Sequence, residues 1–138
     1  MTSRNSSVDD SPSPADASYR DEEIEIAIRC KPQFDRHWTP AVGHYVYDQS
    51  GLVDRPSPFQ TGVYFVLNEA YFMTLVGGPD VFKRSMIWLP TWEQTRRLAT
   101  CFGIDDADVA RCCVRDILSQ SEERLALYRL IQSTILHF

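Results

Sequence analysis

A thiol, a carboxylate and two imidazoles fall close together early in the chain, at Cys30, Asp35, His37 and His44. Such a set could do two kinds of chemistry. As a nucleophilic site, Cys30 would attack, His37 would take its proton and Asp35 would orient the ring; the thiol would then need a depressed pKa. As a metal site, Cys30, His37 and His44 would be the ligands. Zinc takes three or four ligands at compact, recurrent spacings. The intervals here, seven residues each, fit none of them. No metal and no cofactor is therefore expected. A small enzyme with a non-motif site near Cys30, His37 and His44 stands as an alternative reading, because catalytic neighbours meet in space rather than in sequence.

The other chemical-looking clusters have ordinary structural explanations. Asp105, Asp106 and Asp108 could gather around a divalent cation, but they precede a run with helical apolar spacing, where negative charge favours a helix start. Gly77-Gly78-Pro79 lacks the Lys and Ser/Thr of a phosphate loop and is expected to stop a helix. No H-E-x-x-H, G-x-S-x-G or G-x-G-x-x-G occurs in the chain. No catalytic residue is assigned, and the non-enzymatic reading is favoured.

What stays open to function is a group of aromatic and basic residues: Arg36, His37, Trp38, Tyr45, Tyr47 and Arg55. Tyr45 and Tyr47 share one strand face, since side chains alternate with period two. Trp, Tyr and Arg dominate protein-interface hot spots, and aromatics beside arginine can also stack nucleobases. They can equally fill a core. The net charge of −5 opposes broad attraction to nucleic acid or anionic lipid. The six residues are therefore read as a candidate interaction surface for a protein partner or for self-association. Single-stranded nucleic acid is the alternative, and it predicts salt-sensitive quenching of tryptophan fluorescence.

Elements must position these residues. Residues 1–18 hold six Ser, two Pro and no aromatic, a composition that cannot offset the entropy of ordering. They are expected to be a disordered tail, with a phosphorylated or partner-docking arm around Ser11-Pro12-Ser13-Pro14 as the alternative; residues 19–138 are expected to form one domain. Over 21–30 the isoleucines alternate as in a strand, but the acidic first turn and the Glu25–Arg29 spacing favour a helix. Residues 31–41, with two prolines, read as an irregular connection. Residues 45–47, then 52–53 after an Asp48–Gly51 turn, predict a hairpin. The apolar run 62–67 predicts the central strand, and 86–89 a fourth. Asn68 is expected to cap a helix through 75, and a short helical turn is expected near 80–84. Thr91 and Gln94 form a capping box for a helix to about 102, with Gly103 beyond its end. Val109, Cys112, Cys113 and Ile117 mark the face of the next helix. Ser119 and Glu122 cap a last one carrying Leu127, Leu130, Ile131, Thr134 and Ile135.

At Ile87-Trp88-Leu89-Pro90-Thr91, and again at Trp38-Thr39-Pro40-Ala41-Val42-Gly43 followed by Tyr45-Val46-Tyr47, the chain resembles small uncharacterised bacterial and phage-type proteins. In these a Trp-Leu-Pro strand end leads into an amphipathic helix. The resemblance covers residues 37–100; it implies that step of structure but no activity and no role for any residue.

These readings converge on an α+β fold: a small antiparallel sheet of three or four strands with C-terminal helices packed on one face. The four cysteines read as reduced thiols of a cytoplasmic protein, and no apolar run is long enough to span a bilayer. The expected function is a non-enzymatic interaction module or a subunit of a complex, with the last helix as an available pairing surface.

Overall fold

Asp21, Glu22 and Glu23 begin a helix, α1 (Asp21–Arg29), and the negative charge suits its N-terminus. Glu23 reaches back to accept the Arg20 backbone N–H at 2.7 Å. Helical rather than strand period prevails here: Ile26, Ala27 and Cys30 are buried, while Ile24 and Ile28 lie half-buried on the flank. The structure, a computed structural model, describes residues 18–58, 60–68, 77–113 and 120–136. A second short helix, α2 (Lys31–Asp35), occupies the stretch expected to be irregular. Pro32 lies in its first turn, where the missing N–H removes no helical bond.

The sheet has three antiparallel strands, β1 (Tyr45–Tyr47), β2 (Val63–Phe65) and β3 (Ile87–Leu89), in the order β2-β1-β3. Val46 lies opposite Tyr64 on one side and Trp88 on the other. Two expectations are corrected. The central strand is β1, and the 62–67 run supplies an edge. Leu52 and Val53 do not form the return strand, because the Asp48 carboxylate accepts both of their backbone N–H groups, at 3.0 and 2.7 Å. Those donors are thereby taken from any ladder, and the chain loops on to Gly62 before it pairs. Gly62 has a positive φ of 80°, and a Cβ there would lie 2.7 Å from the Tyr47 ring. Gly62→Ala is therefore expected to cost about 1–3 kcal/mol from backbone strain and displacement of Tyr47, measured as a lower urea midpoint.

After α3 (Pro79–Ser85) and β3, the capping box forms as read: Thr91 Oγ1 accepts the Gln94 backbone N–H and Gln94 Oε1 accepts that of Thr91. It opens α4 (Trp92–Cys101), followed by Gly103 at φ 78°. Asp105 accepts the Asp108 N–H at the start of α5 (Asp106–Cys113), and that bond lowers the Asp105 pKa. In α6 (Gln120–Leu136), Leu127, Tyr128 and Ile131 are fully buried. The architecture is α+β with a small antiparallel sheet and C-terminal helices. Residues 1–17 of the expected 1–18 tail, the helix expected over 69–75, Ser119, Ile117, His137 and the side chains of Cys112 and Cys113 lie outside the described residues. No described helix is long and apolar enough to cross a membrane.

A buried polar clasp joins the two ends of the domain. Arg124 of α6 donates to both oxygens of Glu23, at 2.6 and 2.9 Å, and to the Ser18 carbonyl at 2.7 Å. Its guanidinium lies 4.2 Å from the centre of the Tyr19 ring, whose hydroxyl donates to the Leu89 carbonyl.

Candidate functional site

The six candidate surface residues do not form one surface. Trp38 is 2 % exposed and belongs to the core, where it lies parallel to Trp88 with ring centres 5.9 Å apart. This corrects its place on an interaction surface: the loop after α2 turns the indole inward onto the sheet face that carries Val46 and Trp88. Tyr45 and Tyr47, half-buried, sit on the opposite face. Tyr45 packs against Tyr19 and Phe65. Arg55 is exposed on the 48–62 loop, where its carbonyl accepts the Tyr64 hydroxyl. Arg36 and His37 remain together and exposed at the end of α2.

The chemical set Cys30, Asp35, His37 and His44 is also divided. Cys30 is 1 % exposed, and burial pushes its thiol pKa up, the opposite of what a nucleophile needs. Asp35 is engaged by Lys31 at 2.9 Å, within one turn. His44 Nδ1 accepts the Trp38 indole N–H at 3.0 Å, which puts the neutral ring's proton on Nε2. Among the described residues no group of His, Cys, Asp and Glu is placed to hold a metal ion.

What the fold does bring together is a cleft of about 310 Å³ over the paired indoles. Trp38, Trp88 and Leu98 supply its apolar surface; His37, His44, Gln94, Arg97 and Cys101 supply polar groups. A second depression, of about 500 Å³, shares His37 and Cys101 and adds Gln33, Arg36 and Phe102. His37 packs edge-on against Phe102, which fixes the imidazole between the two hollows. No described carboxylate lines either depression. In a chain of net charge −5 this is a local basic concavity. Arg97 has an exposed carboxylate, Glu93, 3.7 Å away.

Sequence reading missed Gln94, Arg97, Leu98 and Cys101. A signal for them existed: positions i, i+3, i+4 and i+7 of α4 form one helical face. That face combines a donor, a cation, an apolar side chain and an exposed thiol. Compared with protein-family models, with curated proteins and with solved structures, the chain matches none.

Proposed function

We propose that this domain is a non-enzymatic protein-interaction module, a subunit of a cytoplasmic complex, that engages its partner on the face where Arg36, His37 and Arg97 surround the two depressions. The carrying observation is the character of that concavity: an aromatic floor and a cationic rim, without a described carboxylate, on an acidic domain. Such a surface suits an acidic segment of a partner, since complementary charge steers encounter and aromatic and arginine side chains anchor it. Free Cys30 and Cys101 support a reducing compartment.

The test compares tagged wild-type chain with the Arg36→Glu/Arg97→Glu variant in affinity capture from the native cells. Both arginines are exposed, so the variant is expected to keep its circular dichroism and thermal midpoint while losing the wild-type partner. Capture of the same partner at the same ratio by both proteins would overturn this choice of face. A wild-type chain that stays monomeric and captures nothing would overturn the module reading itself.

A further inference from the structure

We propose that the 310 Å³ cleft receives a carboxylate carried directly on an apolar group, as at the C-terminal residue of a partner chain. This rests on the reading that the cleft face is the recognition surface, and it narrows what is recognised there.

The donors of the cleft are the first ground. Gln94 spends its side-chain oxygen on the Thr91 N–H of the capping box, so the group it can offer a ligand is its amide NH₂. Arg97 offers a guanidinium fork matched to a planar carboxylate. Trp88, 6 % exposed, buries its indole N–H with no acceptor among the described residues. That N–H is sealed from solvent and out of a cleft ligand's reach. A guanidinium and an amide NH₂ both call for an acceptor.

The balance of charge and apolar surface is the second ground. A phosphate brings nearly two charges and three strong acceptor oxygens. The cleft itself holds one guanidinium, Arg97, and Glu93 lies 3.7 Å from it. That suits a monoanion. The volume stands at the lower end of small-molecule sites, roughly 300–1,000 Å³. It accommodates one side chain and its carboxylate, seated over Trp38, Trp88 and Leu98.

Two sources share this chemistry, the end of a polypeptide and a free organic acid, and three probes separate them. A hexapeptide ending in Phe with a free carboxylate, the same peptide amidated, and N-acetylphenylalanine are titrated into the full chain. Calorimetry and the emission of Trp38 and Trp88 give the affinities, with Trp92→Phe removing the signal from outside the cleft. The free-carboxylate peptide is expected to bind at least tenfold more tightly than the amidated one, and Arg97→Ala to weaken it at least tenfold. N-acetylphenylalanine binding as tightly as the peptide would uphold the carboxylate site and assign it to small acids. Equal binding of the free and amidated peptides, or binding of neither carboxylate probe, would overturn the proposal. If the partner captured by wild-type chain is lost in Arg36→Glu/Arg97→Glu while neither probe binds, the inference falls and the interaction face stands.

Discussion

Glu23→Ala is expected to lower the stability of the domain by about 3–5 kcal/mol, the range for breaking a buried ion pair by removing one partner. Both side chains of the pair are out of water: Glu23 is 0 % and Arg124 is 5 % exposed. Arg124 cannot shed its charge when the carboxylate is removed, since a guanidinium keeps its proton in a protein even when buried. Among the described residues it would keep the Ser18 carbonyl and the face of Tyr19. The α1 N-terminus would lose the bond from Arg20 N–H to Glu23 at the same time. Replacing both partners by apolar side chains, Glu23→Leu with Arg124→Met, is expected to recover most of the loss, because the pair's attraction is largely offset by its desolvation. Urea denaturation of the two single variants and the double variant reads this directly. Singles within 1 kcal/mol of wild type would show that the guanidinium finds water or another acceptor. Glu22 and Arg129 make the same kind of bidentate pair in solvent, and its removal is expected to matter little.

The clasp also shows where sequence stops being legible. Glu23 and Arg124 are separated by 101 residues, and nothing local in the acidic first turn of Asp21, Glu22 and Glu23 points to Arg124 as a partner. Local rules succeeded where the determining interactions are local. The capping box at Thr91, the Asp105 cap and the glycine at 103 are satisfied within a turn. The α+β class followed from the order of such elements. Local rules failed at Leu52-Val53, where the Asp48 side chain competes with the strand ladder for backbone donors. They failed also at the candidate site. Trp38 precedes the sheet in sequence beside exposed Arg36 and His37, yet the turn at the end of α2 sends it onto Trp88, fifty residues away. Beside His37 and His44, the cleft owes its polar character to one face of α4, whose membership in the site depends on how that helix docks.

Above about pH 10, stability is expected to fall by about 1.4 kcal/mol per pH unit for each tyrosine that the fold keeps protonated, or about 2.8 for two. Tyr19 and Tyr128 are those groups. Burial is the main cause of the rise in both pKa values, with the negative charge of Glu23 adding to it and Arg124 opposing it. Each hydroxyl donates to a backbone carbonyl, Tyr19 to Leu89 and Tyr128 to Pro90, bonds that only the neutral phenol can make. In the unfolded chain both phenols lose their protons near the ordinary pKa of about 10. Beyond that point the native state holds more protons than the unfolded state, so rising pH favours unfolding. The stabilisation is complete below the unfolded pKa and is lost as pH climbs toward the folded one. Urea midpoints at pH 9, 10 and 11, with phenolate absorbance near 295 nm, would follow both sides of the linkage. Two tyrosines are expected to ionise only as the domain unfolds. Tyr128→Phe removes one titrating group and one hydrogen bond. It should lower stability at neutral pH by about 0.5–1.5 kcal/mol and reduce the slope above pH 10 by about 1.4 kcal/mol per pH unit. A flat stability profile from pH 9 to 11 would mean that these hydroxyls reach solvent without unfolding, and the clasp around Tyr19 would then be open on that timescale.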